Sequence, residues 1–584
     1  MSKQPFYRSR FVRYRQPWLL LFFSLLLSSF SWGNESHWVN VTLQSRFEDF
    51  ISAHPEVIAP VYLDNDFKYI WIDASGQPSA AALALINLVK PFTLLSEQHP
   101  LTAPYRKFLA LQAQPLTLAL PRYLLATDLL YSDMFARLQH DIQSGLFIQA
   151  DQDNDHQEYR YGIPAAEPII EQKKPWQEIT LEQLRLAAAL PEEQRNSLLT
   201  RGIKQLYPTS EQKEPLLAAI DFWLQRKKEG AWPALPYGEK MLPGMIRPDW
   251  IPPLISQLQR LQLLAQDYQP ELQDRYDDQL VSAVKKIQAQ HGQLVDGIIG
   301  PRTRRVLNLS PDYRIRQLAH NFRRLYHLPE QLGERYMMIN MANYSLDLIE
   351  YEQSSMSMRV IIGTPDARTP IMTQTLTSVI LSPRWNIPKS IGYKSIFPKA
   401  QKNPSYLQDR EIMVVEGWNE PAQEVPTEQI DFNAYSSPEA FPYRFVQLPG
   451  QHNQLGYVKF RLSNKKAIYM HDTPGKHLFE RRDRALSNGC VRLEDALPLV
   501  DKLLAAKPYG WDEEKVQEVL RSKEERYIRM TPALPVYLMY WTVWADKSGQ
   551  LQWRDDIYHK DQLPNPQPED TLLAAKPIQS RSDG

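Results

Sequence analysis

The sequence predicts a multidomain α+β protein, and three observations predict it. A chain of 584 residues is longer than one hydrophobic core supports. The apolar pattern runs at the helical period upstream of Glu334 and at period 2 beyond it. Between them Trp232, Pro233, Pro236, Pro243, Pro248, Pro252 and Pro253 crowd one stretch, which breaks any long helix and marks a boundary or a rigid connector.

Composition narrows the class. Hydrophobic content of 43% with 23% charged residues describes a folded, soluble chain, and 67 basic against 67 acidic residues leave no basic excess for nucleic acid. A polymer carrying both amines and carboxylates remains compatible with that balance. The first 33 residues read as a signal peptide or an inner-membrane anchor. Lys3, Arg8, Arg10, Arg13 and Arg15 precede the apolar run Trp18 to Leu27, and Ser31-Trp32-Gly33 suits a cleavage site. The expected location is the periplasm. No later segment is long and apolar enough to span a membrane.

Residues 34–250 read as a mainly helical scaffold. Ala80 to Val89 is rich in alanine and leucine, and Thr180-Leu181-Glu182-Gln183 has the form of a capping box before Leu184, Ala187 and Ala188. No catalytic cluster is visible there. Residues 251–310 form a small helical unit. Leu280, Val281, Val284 and Ile287 share one helix face, His291-Gly292 ends the helix, and Asp296-Gly297-x-x-Gly300-Pro301 turns into a helix beginning at Thr303. With Tyr276-Asp277 at its start, this unit resembles the peptidoglycan-binding domain 1 family.

Residues 334–505 predict a mostly antiparallel, mainly β domain. Tyr336 to Met341, Leu346 to Tyr351 and Met358 to Ile362 are short strand-like runs, with Asn343 and Gly363 at turns. Val458, Phe460 and Leu462 alternate with Lys459 and Arg461, so one face of that strand meets a core and the other meets water. Residues 391–450 break this rhythm with acidic, proline-rich loops and read as a lid-like insertion. Residues 506–562 are expected as a C-terminal helical extension, with an amphipathic helix over Asp512 to Ser522. Residues 563–584 are expected as a disordered tail.

The chemistry concentrates at Cys490, the single cysteine of the chain, within Ser487-Asn488-Gly489-Cys490-Val491-Arg492. In an oxidising compartment a lone cysteine is a buried hydrophobe, half of an intermolecular disulfide, or a nucleophile. Gly489 beside it favours the last, since a tight turn can bring backbone N–H groups near the sulfur. A thiol needs a base to become a thiolate near neutrality, and His471, ending the strand-like Ile468-Tyr469-Met470-His471, is the candidate. Its second nitrogen needs an acceptor, for which a backbone carbonyl near Asp472 or Thr473 serves as well as a carboxylate. Amides around Asn488, Gly489 and Cys490 are the candidate oxyanion donors. The histidines show no metal-ligand spacing, one cysteine cannot build a thiolate zinc site, and no glycine-rich phosphate loop is present. No metal or cofactor is expected.

The segment from Met470 to Arg492 resembles the active site of the YkuD-type L,D-transpeptidases: a histidine at a strand end, a connecting stretch, then Ser/Thr-His-Gly-Cys followed by an apolar residue and Arg or Asn. Here these are His471-Asp472-Thr473 and Ser487-Asn488-Gly489-Cys490-Val491-Arg492-Leu493. Trp385-Asn386-Ile387-Pro388, Ser390-Ile391, Asn403-Pro404-x-Tyr406-Leu407, and Pro474 with His477-x-Phe479 extend the likeness to the large YcbB-type subgroup. Asn488 departs from the pattern: it stands where many members carry histidine, so it donates hydrogen bonds but cannot shuttle protons.

The resemblance implies a cysteinyl thioester and 3→3 crosslinks between peptidoglycan stem peptides, with Cys490 as nucleophile and His471 as base. Asn488, Gly489, Ser487 and Asp472 would position the reacting groups, and Arg492, Tyr457 and Trp385 would contact substrate. Each has a plainer role as well: an ion pair ordering the loop for Arg492, aromatic packing for Tyr457 and Trp385, a turn cap for Asp472, a solvated loop for His477. The implied partners are stem peptides, glycan strands and cell-wall synthesis proteins. The alternatives are an L,D-carboxypeptidase or endopeptidase, a lipoprotein-anchoring transpeptidase, and a non-catalytic cell-wall scaffold.

Overall fold

A computed structural model describes residues 58–561 except 59–60, 63, 66–67, 74, 96–98, 114–119, 145–175, 330, 404, 418–422, 436, 438–439 and 506–508. The leader expected at 1–33 and the tail expected at 563–584 lie outside the described residues.

Helices α1 (Ala80–Thr93), α2 (Thr102–Gln112), α3 (Leu120–Ser144), α4 (Trp176–Ala189), α5 (Glu192–Leu206) and α6 (Lys213–Lys228) build the N-terminal unit. Ser79 caps α1 by accepting from the Ala82 amide, and Ala81, Leu85, Leu88 and Phe92 form its buried face. The capping box expected at Thr180–Gln183 is not a helix start. Helix α4 already runs through it, and the buried Thr180 hydroxyl bonds Gln139 of α3 instead. In the same unit the buried Asp128 carboxylate accepts from the amides of Ile70, Trp71 and Ile72 and from the Tyr62 hydroxyl.

The small unit contains α7 (Ile251–Arg260), α8 (Asp278–Gln290) and α9 (Pro301–Leu307). Asp277 caps α8 through the amides of Gln279 and Leu280. Gly297 has φ +75°, and a β-carbon there would sit 2.7 Å from Val281 Cγ1, so the turn admits only glycine. Helix α9 starts at Pro301, ahead of the expected Thr303, because proline suits a first helical turn whose N–H groups have no partner. Leu235, Met241 and Trp250 join this unit's core, so the proline-rich stretch packs with it rather than only connecting. Helix α10 (Pro311–Arg324) follows, and its Leu318 and Phe322 enter one core shared by the scaffold and the β domain.

That domain opens with β1 (Arg335–Asn340), β2 (Ser345–Glu350), β3 (Gln353–Gly363) and β4 (Met372–Leu381). An insertion then contributes β5 (Trp385–Asn386), β6 (Ile412–Glu416), β7 (Gln423–Val425) and β8 (Arg444–Gln447), which pair as a sheet of their own in the order β5-β8-β6-β7. It is a folded subdomain rather than the loops expected at 391–450. Phe441 stacks on Phe432 and Phe445 at 5.5 and 5.2 Å, and Phe397 closes the cluster.

The chain returns with β9 (Val458–Leu462), β10 (Met470–His471), β11 (Ala485–Ser487) and β12 (Val491–Leu493), followed by helices α11 (Ala496–Leu504) and α12 (Glu513–Ser522). The C-terminal segment is not a helical extension. Beyond α12 it forms β13 (Arg526–Met539), which lies between β4 and β1, and the hairpin β14 (Val543–Ala545) and β15 (Leu551–Trp553). The sheet order is β11-β3-β12-β10-β9-β4-β13-β1-β2. Because β3 pairs with β2 along one part and with β12 along another, the sheet closes on itself. It is less uniformly antiparallel than expected: β1–β13, β10–β12 and β11–β3 are parallel pairs.

Candidate active site

Strand β10 is two residues long and wedged between β9 and β12. Met470 pairs with Phe460 on one side and Val491 on the other; His471 pairs with Lys459 and Arg492. Paired residues share a face of the sheet and successive residues alternate. Met470, Phe460 and Val491 are fully buried in the main core, so Lys459, His471 and Arg492 occupy the opposite face. Tyr469 joins them at the next same-face position, its carbonyl accepting from the Val491 amide at 3.1 Å, directly beside Cys490. Register alone thus gathers a tyrosine, a histidine, a cysteine and two cations.

The Cys490 loop is held from beneath. Ser487 Oγ donates to the Cys490 carbonyl at 2.6 Å and accepts from the Gly489 amide at 3.1 Å. Gly489 has φ +110°, and its carbonyl accepts from Thr369 Oγ1 at 2.7 Å. The same Thr369 oxygen receives the Gly363 amide, and Tyr558 Oη donates to the Gly363 carbonyl at 2.7 Å. The C-terminal segment thereby buttresses the nucleophile loop. Since Ser487 takes the Gly489 N–H, that group is not a free oxyanion donor here. The amides of Asn488 and Cys490 make no such bond among the described residues, and the Asn488 side chain is exposed.

His471 is buried, and its Nδ1 lies 2.5 Å from the Asp472 carbonyl oxygen. A carbonyl only accepts, so Nδ1 carries the proton and Nε2 is left as the basic nitrogen. Burial first, then the positive charge of Arg492 and of Lys459, pull the imidazole down to about 3; its bond to Asp472 opposes this. The Asp472 side chain works elsewhere: Oδ2 accepts from the Tyr457 amide at 2.9 Å and Oδ1 meets Lys476 Nζ at 2.7 Å. At Gly456, with φ +60°, a β-carbon would fall 2.3 Å from Asp472 Oδ2.

Cys490 is partly exposed, and its thiol faces the Ala467 carbonyl, Sγ to O 3.7 Å. Ala467 itself is in the left-handed region at φ +55°, in a turn held by Asn464 bonding both backbone groups of Ile468. Desolvation pushes the thiol up, while bonds to Tyr469 and the charges of Lys459 and Arg492 oppose that rise. No hydrogen bond joins Cys490 to the His471 ring among the described residues.

Of the substrate-contact candidates, Arg492 makes no ion pair among the described residues, and its Nε is buried without an acceptor. Trp385 is buried in the insertion's core, while Tyr457 and His477 are exposed. Sequence reasoning missed Lys459, Tyr469, Ala467, Thr369 and Gly456. The alternation at Lys459 and at Tyr469–His471 was visible; their juxtaposition depends on pairing between distant segments.

Residues 334–516 match the L,D-transpeptidase catalytic domain family (YkuD), residues 253–307 match a family described as "Putative peptidoglycan binding domain", and residues 56–175 match a scaffold domain. Two segments of the chain are thus similar to an L,D-transpeptidase catalytic domain and to a peptidoglycan-binding domain. A relative from Haemophilus influenzae, described as "Putative L,D-transpeptidase", is 33% identical over 249 residues, which is 43% of this chain. That match spans about half of the relative, 49% of its length. The crystal structure of an L,D-transpeptidase from Xylanimonas cellulosilytica is 13% identical, with a TM-score of 0.17, over 52% of this chain and 98% of that one.

Proposed function

We propose that the protein is a peptidoglycan L,D-transpeptidase forming 3→3 crosslinks through a thioester at Cys490. The observation that carries this reading is the in-register placement of His471 and Arg492 on neighbouring strands beside Cys490, within the domain matched to the transpeptidase family. The Cys490 thiol gives its proton to His471 Nε2. The sulfur then attacks the carbonyl of the third stem residue, diaminopimelate, in a donor tetrapeptide. As the tetrahedral adduct collapses, the C–N bond to D-alanine breaks and His471 returns the proton to the departing amine. The side-chain amine of a second stem attacks the thioester, loses a proton to His471, and expels the Cys490 sulfur, which regains it. Arg492, which makes no ion pair among the described residues, supplies a bidentate donor for a stem carboxylate.

The insertion carrying Trp385 would hold stems over the site and limit water as competing acceptor. The peptidoglycan-binding unit would keep the enzyme on its polymer, alongside other cell-wall synthesis proteins. The N-terminal leader would take the chain to the periplasm, as a cleaved signal or an inner-membrane anchor. Intact-protein mass after incubation with disaccharide-tetrapeptide tests the reading: loss of D-alanine with an acyl adduct on Cys490 is expected. Continued turnover by Cys490→Ala rejects it. Hydrolysis products alone, under saturating acceptor, indicate a carboxypeptidase.

A further inference from the structure

His471 sits in the middle of a row that crosses five strands: Ile380 on β4, Lys459 on β9, His471 on β10, Arg492 on β12 and Ile361 on β3. Strand spacing puts the backbones of Lys459 and Arg492 about 10 Å apart with the imidazole between them. The row ends in two buried isoleucines, and both cations are half-buried. Neither forms an ion pair among the described residues. The Lys459 ammonium has only the face of Tyr469, 4.1 Å from its ring centroid. Around this row stand Tyr469 and the Asp472 carbonyl at the two ends of β10, Arg461 further along β9, Cys490 before β12, and Glu525 ahead of β13, which bears on Lys459 and accepts from the Arg384 amide. The adjacent Asp472 carboxylate is engaged by the Tyr457 amide and Lys476.

Two half-buried cations flanking a base oppose its protonation. In the resting site the imidazole is therefore a poor acceptor for the proton that catalysis requires it to take. An anion between the cations reverses this.

We propose that Lys459 and Arg492 form an anion clamp across His471, and that a substrate carboxylate seated in it is what lets the imidazole accept the Cys490 proton. The proposal rests on the transpeptidase reading for the identity of the substrate. The donor's terminal D-alanine carboxylate lies next to the scissile bond and is the group that fits. The imidazolium gives its proton to the amine as the C–N bond breaks, and D-alanine then carries the anion out of the clamp and leaves the imidazole neutral. Lys459 is in this account a positioning residue, acting through His471.

The test follows the His471 ring by NMR in full-length, histidine-labelled Cys490→Ala protein, with His471→Gln to assign the signal. Replacing chloride by acetate at constant ionic strength is expected to raise the His471 pKa by about one unit or more, as is the donor tetrapeptide. Lys459→Met and Arg492→Met are each expected to raise it without any anion and to blunt the acetate response, whereas Lys459→Arg should resemble wild type. In wild-type protein, iodoacetate should alkylate Cys490 faster relative to iodoacetamide than it does a free thiol, by roughly tenfold, and Lys459→Met should remove that preference. A His471 pKa that neither acetate nor either methionine variant moves overturns the clamp. An acetate response in Cys490→Ala protein, with no cleavage of the tetrapeptide by the wild-type protein, leaves the clamp standing and rejects the transpeptidase reading.

Discussion

His471 Nδ1 and the Asp472 carbonyl oxygen stand 2.5 Å apart, and this contact fixes the tautomer of the base. A backbone carbonyl cannot take up a proton, so it orients the ring without sharing its charge. His471→Gln is therefore expected to lower the rate of D-alanine release by roughly 10²- to 10⁴-fold. Single-turnover kinetics on disaccharide-tetrapeptide measure it; a loss under threefold would remove His471 from the base role.

The resting protonation states make a pH prediction. Burial raises the thiol above its ordinary value, so the thiolate fraction at neutrality is smaller than in a free cysteine. The imidazole is held down to about 3 and stays neutral through the whole neutral range. Alkylation of the free enzyme by iodoacetamide should then climb steadily with pH through and beyond about 8.5, the ordinary thiol value. A plateau beginning below neutrality would reveal a preformed thiolate–imidazolium pair instead.

Arg492→Ala separates recognition from stability. Since Arg492 has no ion pair among the described residues, its loss should change unfolding free energy by no more than about 0.5 kcal/mol. KM for the tetrapeptide should rise at least tenfold. Denaturant titration beside steady-state kinetics gives both numbers. A large destabilisation with unchanged KM would point to the structural role.

Gly456→Ala introduces a β-carbon where Asp472 Oδ2 already lies, at a backbone angle that favours glycine. The Tyr457 amide bond would break and the Asp472 carbonyl under His471 would move. We expect a loss of about 1–3 kcal/mol in stability, together with reduced D-alanine release. Wild-type-like activity would show that the turn does not position the histidine.

A β-lactam ring is a strained amide, and the family resemblance points to carbapenems as the best fit. Peptide mapping after treatment should find the adduct on Cys490 in wild type and in Asn488→His alike, and almost none in Cys490→Ser. An adduct on Ser487, or anywhere outside 471–492, would reject the nucleophile.

The sequence by itself determined a good deal. Period-2 alternation announced β1, β2, β3 and β9, and helical spacing with Asp277 announced α8. The single cysteine beside Gly489, with a histidine at a strand end, pointed to the nucleophile and base. These signals are local: propensity, alternation and turn chemistry are written in neighbouring residues. Only the tertiary structure decided what surrounds them. Lys459 faces His471 because β9 pairs with β10 in one register, and β13 enters the middle of the sheet from a segment that reads as helical extension. Tyr558 reaches the Cys490 loop through Gly363 and Thr369, and Asp128 gathers three amides from a distant turn. Alternation along a strand states which residues share a face but not which strand lies beside it. Pairing between distant segments is settled by burial summed over the whole core, and that sum, not any local pattern, set the charges around the histidine.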